Sequence, residues 1–176
     1  MNEPMPALNA SGIRWLWVSV LIIVLDQLTK LWITSTMEMH DEIYVLPVFD
    51  IYRTFNTGAA WSMGAGTAGA RWLFSGVAIA VSVVLVYWLR TLALSTHRLL
   101  IAGLSLILGG AIGNVIDRLR LGHVIDFLLV HWNEAKFPAF NLADSAICVG
   151  AALVILDSIR DWWRTRQAKL QASGEH

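Results

Sequence analysis

Four stretches of about twenty mostly apolar residues, at about 13–34, 71–90, 98–118 and 141–160, limit what this 176-residue chain can fold into. A hydrocarbon core about 30 Å thick takes about 20 residues to cross as a helix, and within it only helices and closed barrels satisfy every backbone N–H and C=O. Four transmembrane helices in a single integral membrane domain, 1–176, are therefore expected, an all-α membrane protein by class. Only 15% of the residues are charged, where a soluble domain carries about a quarter. The formal net charge is zero, so the basic footprint of a nucleic-acid binder is missing. Arg14 before the first run gives it the look of a secretory leader. No small-residue cleavage site follows, and "DQLTKLWI" continues the helix, so this span is expected to be retained.

Basic residues near span ends collect in cytoplasmic segments. With both termini inside, the inner segments hold Arg14, Arg90, Arg98, Arg160, Arg164, Arg166 and Lys169, and the outer loops only Arg53, Arg120 and Lys136. Arg71 and Arg118 at the outer boundaries reduce this contrast. The interfacial tryptophans agree with it: Trp15, Trp17, Trp88, Trp162 and Trp163 mark one interface, Trp32 and Trp72 the other.

The inner connection "TLALSTH" is short, but the outer segments, about 35–70 and 119–140, are long enough to carry structure. "IYVLPVFDIYRTF" predicts short strands, a small extracytoplasmic β element that Pro47 confines to an edge or a break. "NTGAAWSMGAGTAGA", rich in glycine, predicts a mobile outer segment.

Ionisable side chains inside a span are costly and mark function or a tight internal pair. Asp26 and Lys30 stand four residues apart in the favourable order for a helical pair; the pair either ties the bundle together, with Lys30 otherwise snorkelling to the outer interface, or touches substrate. On the third span, Gly110, Asn114 and Asp117 or Arg118 share one helical face. The glycines there permit close helix packing, the Asn114 amide has groups suited to a peptide backbone, and Arg118 is placed to pair with Asp117. The fourth span opens with "FNLADSAI", in which Asn141 is an N-cap and Asp144 lies in the first turn, where the helix dipole favours a carboxylate.

Asp126, in "GHVIDF", is expected at the same depth as Asp144. Two carboxylates sharing a site cannot both ionise cheaply, so one keeps its proton while the other activates water, which is aspartic-protease chemistry. The helix dipole favours Asp144 as the ionised member. Competing chemistries fare worse. Cys148 sits in an apolar helix and reads as core, Ser62 and Ser145 lack a GxSxG setting, and His123 and His131 in a wet loop fall short of three zinc ligands. No metal and no cofactor are expected. A proton-coupled transporter using Asp26 and Lys30, and a non-enzymatic scaffold subunit, are the alternatives. No repeated halves support the transporter.

"DQLTK" from Asp26, "NTGAAWS" from Asn56, "GGAIGNVIDRLRLGHVIDF" from Gly109 and "FNLADSAI" from Phe140, in this order, resemble the lipoprotein signal peptidases, or signal peptidase II, of bacterial inner membranes. The resemblance covers nearly the whole chain. It implies an aspartic endopeptidase that removes the signal peptide of a prolipoprotein just before a diacylglyceryl-modified cysteine, with Asp126 and Asp144 as the catalytic pair. Asp117 becomes a supporting residue. Asn56, Asn114, Arg118 and Asn141 would bind the substrate backbone or organise the site, with Asp26, Lys30 and Gly110 nearby. It further implies a site near the periplasmic face, lipid contacts, and inhibition by cyclic peptides of the globomycin type; a monomer is the expected state. Trp61, where many members carry phenylalanine, is a local departure. The segment around it would clamp substrate, and its glycine-rich continuation would close as a lid.

Overall fold

A computed structural model describes residues 5–58 and 68–173. The segment 59–67, which holds Trp61 and most of the expected mobile lid, lies outside the described residues. Two 3-10 turns, Leu8–Ala10 and Gly12–Trp15, lead into α1 (Leu16–Thr36). After it come β1 (Glu42–Leu46), β2 (Phe49–Asn56), α2 (Ala68–Thr91), α3 (Arg98–Leu121), β3 (Val124–Trp132), β4 (Ala135–Lys136) and α4 (Leu142–Ser173).

All four helices are long and apolar enough to cross a membrane. Their outer faces invert the rule for soluble proteins: Leu73, Val83, Ile155 and Leu31 are each at least 60% exposed, as lipid-facing side chains should be. α3 is the central helix, with 56% of its span buried against 17–22% for the others. Leu85, Leu89 and Leu92 of the second helix region pack there against Ile101, Leu104 and Leu108. Small residues set the α3–α4 distance. A Cβ on Gly103 would meet the Gly150 carbonyl at 2.7 Å, and one on Gly110 would collide with the Ala143 carbonyl. α4 extends past the expected end at 160, because "RDWWRTRQAKLQAS" carries helix formers and no breaker.

The strands form one antiparallel sheet in the order β1-β2-β3-β4. Pro47 falls in the two-residue turn between β1 and β2, where its missing N–H costs nothing. β3 departs from the wet loop expected over 119–140. Val124, Ile125, Asp126 and Phe127 are all buried, and Thr54 pairs with Asp126 across the sheet. A strand buried on both faces lacks the alternation by which strands are usually read. Phe127 packs with Ile33 and Met37, which fixes the sheet to the end of α1. The protein is thus mostly helical with a small antiparallel sheet, in which β1 and β2 are the expected β element and β3 and β4 enlarge it.

Gly122 joins α3 to this sheet. Its φ of +84° is left-handed, and its N–H closes on the Arg118 carbonyl at 3.1 Å. A side chain there would be strained. This turn sends the chain from Asp117 on a helix to Asp126 on a strand, so that both reach the same end of the bundle.

Candidate active site

The start of α4 is held by a reciprocal cap. Asn141 Oδ1 accepts the Asp144 N–H at 2.9 Å, while Asp144 Oδ2 accepts the Asn141 N–H at 3.3 Å. This is the capping-box arrangement with aspartate in the third position. Asp26 of α1 adds a third cap, its Oδ1 accepting the Ala143 N–H at 3.0 Å. Three orphan donors of the helix terminus are satisfied by carboxylate or amide oxygens that belong to the site.

Asn141 also links the two carboxylates. Its Nδ2 donates to Asp126 Oδ1 at 2.8 Å, and to the Ile125 carbonyl and Asn114 Oδ1 at 3.2 Å each. Asn114 Nδ2 in turn donates to Asp144 Oδ1 at 2.8 Å. Asp126 and Asp144 therefore stand in one network, each fed by an amide donor. Burial pushes the Asp126 carboxyl up to about 7, helped by the negative charge of Asp144 and opposed by the Asn141 hydrogen bond and by the charges of Lys30 and Arg118.

Below the pair lies a buried ionic cluster. The Lys30 ammonium, 2% exposed, reaches Asp26 and Asp117 at 2.8 Å each and Asn114 Oδ1 at 3.1 Å, so its three donors are all used. Lys30 does not snorkel to the interface. Asp117 pairs with Lys30 rather than with Arg118, and its Oδ2 also accepts the Ile125 N–H at 3.2 Å. The Asn114 amide, expected to hold a substrate backbone, is committed within the protein. Gln27, which the sequence reading passed over, donates to Asp117 Oδ1 at 2.9 Å and to the Gly113 carbonyl at 3.3 Å. Its place between Asp26 and the rest of "DQLTK" was the available signal.

Arg118 points the other way, over the Phe74 ring at 5.9 Å with Nη2 3.5 Å from the Gly58 carbonyl, and its charge faces Asp144, Asp126 and Asp117. Asn56 ends β2 and accepts the Gly58 N–H at 2.9 Å; among the described residues no hydrogen bond joins it to either carboxylate. Gly110 contributes by absence of a side chain, letting α3 approach α4 at Ala143. Cys148 is exposed on the outer face of α4, not in the core, because an apolar helix gives no sign of which face meets lipid. The two histidines part company: His131 lies 2.9 Å from Asp50, and the His123 ring sits tilted beside Phe55 with centroids 4.8 Å apart. Burial lowers the His123 pKa, so its ring is neutral at pH 7.

A cavity of about 400 Å³ opens behind the ionic cluster, between α1, α3 and β2, with Gln27, Arg53, Arg120 and His123 in its wall. Neither Asp126 nor Asp144 lines it.

The chain has known relatives. A family model described as "Signal peptidase (SPase) II" matches residues 18–160. The chain belongs to the signal peptidase II family. A lipoprotein signal peptidase of Shewanella halifaxensis is 53% identical over 149 residues, 84% of this chain and 87% of that one. One from Pseudomonas fluorescens is 52% identical over 159 residues, covering 86% and 93%. A solved structure described as a bacterial membrane enzyme superposes with a TM-score of 0.74 at 31% identity, covering 84% of this chain and 88% of that one. As a signal peptidase II the protein is a multi-pass bacterial membrane peptidase, and the four motifs read from the sequence all lie within the matched residues.

Proposed function

We propose that this protein is the aspartic endopeptidase that cuts diacylglyceryl-modified prolipoproteins immediately before the lipidated cysteine, with Asp126 and Asp144 as the catalytic pair. One observation carries the reading: Asn141 is bonded to both carboxylates, and the proton affinity of Asp126 is raised to about 7 by burial and by the charge of Asp144. At neutral pH such a pair holds one proton.

The ionised partner is Asp144, which receives the Asn114 amide and sits at a helix N-terminus. It takes a proton from water as the water oxygen attacks the scissile carbonyl. Asp126 donates its proton in a hydrogen bond to the developing oxyanion. When the C–N bond breaks, a proton returns to the leaving nitrogen, and the pair is left with one proton, as it began. Arg118 adds positive charge facing both carboxylates and limits how far the Asp126 proton affinity rises.

The bundle end that carries the sheet faces the periplasm of the inner membrane, and both termini are cytoplasmic, in keeping with the distribution of basic residues. Acyl chains of a lipidated cysteine stay in the outer leaflet, so the scissile bond is presented at that depth. Asn56 and Arg118 face the substrate backbone, the remaining network holds the pair, and cyclic peptides of the globomycin type compete for the same space. The protein acts as a monomer.

Cleavage of a diacylglyceryl-modified prolipoprotein by purified protein tests this. Asp126→Asn and Asp144→Asn are each expected to abolish it, and cleavage surviving either change overturns the assignment. The transporter reading finds little support, since Asp26 and Lys30 are closed into a buried, fully bonded cluster. Proton flux in liposomes that persists in both variants would revive it.

A further inference from the structure

We propose that the end of the bundle opposite Asp126 and Asp144 carries a binding site for the phosphodiester headgroup of an anionic phospholipid. Two adjoining cavities, about 420 Å³ and about 360 Å³, share Trp15 and Arg98 as a common wall. Arg14 lines one of them, Arg160 and Arg164 the other. Three separate segments thus bring four arginines to one groove, the turn before α1, the start of α3 and the second half of α4, with Arg14 also donating to the Asn9 carbonyl at 3.2 Å.

Among the described residues no carboxylate lies within ion-pair reach of Arg14, Arg98 or Arg160, and Arg164 reaches Asp161 only at 3.6 Å. The counter-charges nearby are Asp157, which lines the groove, and Asp161. With His97 they form a group whose ligand atoms lie within 4.8 Å of one another. Four guanidinium groups against two carboxylates still leave the groove positive, so it favours an anion over a metal cation. His97 at the head of α3 gives no side-chain cap, and that helix has no acid in its first turn, so the helix dipole adds to the same sign.

Position and apolar surroundings select a lipid. Arg14 and Arg98 stand at the first residues of two spans, the level of a headgroup. From Trp17, which lines the groove, the exposed side chains Val20, Leu21 and Val24 continue down one face of α1, where acyl chains would lie. A planar guanidinium fork suits phosphate oxygens, and basic pockets between spans are known takers of acidic headgroups.

The test is native mass spectrometry of the full-length protein in detergent with equal amounts of phosphatidylglycerol and phosphatidylethanolamine. The expected result is preferential retention of phosphatidylglycerol, weakened about fivefold per arginine in Arg98→Gln and Arg160→Gln. Arg166→Gln, at the same end but stacked over Trp162, is expected to keep the preference. Equal retention of the two lipids by the wild-type protein overturns the proposal without recourse to any variant. An equal loss in Arg166→Gln overturns it in favour of a diffuse surface field, and displacement of the lipid by inorganic phosphate at matched concentration overturns it in favour of a free-anion site. Prolipoprotein cleavage that stays at the wild-type rate in all three variants shows that the fold is intact.

Discussion

Asn114 Oδ1 accepts a hydrogen bond from the Lys30 ammonium at 3.1 Å, and this contact decides which way the amide faces. Turned over, Asn114 would set its amino group against the ammonium and against the Asn141 amino group, three donors with no acceptor. Lys30 thereby aims Asn114 Nδ2 at Asp144. Asn114→Ala removes a hydrogen bond to a charged group, and kcat for prolipoprotein cleavage is expected to fall roughly ten- to a hundredfold. A rate within about threefold of wild type, in protein that melts normally, would mean that Asp144 needs no amide donor.

Lys30 is also the only cation between Asp26 and Asp117 among the described residues. Lys30→Met leaves two buried carboxylates facing each other, a loss of about 3–5 kcal/mol for a broken buried ion cluster. Thermal unfolding in detergent should show it plainly. Replacing the whole cluster, Asp26→Asn with Lys30→Met and Asp117→Asn, should recover much of the melting temperature. If the single variant melts like the wild type, the cluster contributes little to the fold.

Much of this site was legible in the sequence because its chemistry is written in residue type. Carboxylates and amides at the edge of apolar spans are conspicuous, and "FNLAD" announces both the cap and the carboxylate. What stayed hidden was partner choice. Asp117 and Arg118 are neighbours in sequence, yet a helix points adjacent side chains about 100° apart, so Asp117 turned to Lys30 of another helix. Cys148 was misplaced for a related reason: apolar residues in a span mark neither the core face nor the lipid face. β3 escaped notice because burial on both faces removed the alternation that betrays a strand, and Gln27 because one amide beside two charged residues attracts no attention.

The raised proton affinity of Asp126 gives two pH signatures. On the proposed mechanism, in which protonated Asp126 supports the oxyanion, kcat should fall as pH rises through about 7. Arg118 pulls that value down, so in Arg118→Gln the alkaline limb should move to higher pH, whatever happens to the absolute rate. The stability effect has the opposite dependence from an ion-paired aspartate. The folded state holds the proton more tightly than the unfolded one, so ionisation of Asp126 costs nothing well below 3.8, costs more as pH rises from 3.8 to about 7, and costs its full amount above that. Asp126→Asn should therefore be inactive yet more stable than wild type at alkaline pH, on the order of 2–4 kcal/mol, with the difference vanishing towards about pH 4. A variant no more stable than wild type at pH about 8 would place the buried proton elsewhere.

Gly110 separates packing from chemistry. It carries no polar side chain, but any Cβ there would run into the Ala143 carbonyl and come within 2.8 Å of Ile147 Cγ1. Neither can give way easily, since Ala143 lies in the first turn of α4 with its N–H held by Asp26. Gly110→Ala should push α4 away from α3, at about 1–3 kcal/mol for an overpacked contact. The displaced turn carries Asp144 and adjoins Asn141, so cleavage should fall by more than the lost stability explains at temperatures where the protein remains folded. Gly76→Ala is the matched comparison, since a Cβ at that position meets nothing within 4 Å. Helix propensity then favours alanine by about 1 kcal/mol, so this variant should melt no lower than wild type and cleave at the same rate. Equal behaviour of the two alanine variants would show that α3 and α4 can separate without disturbing the carboxylates.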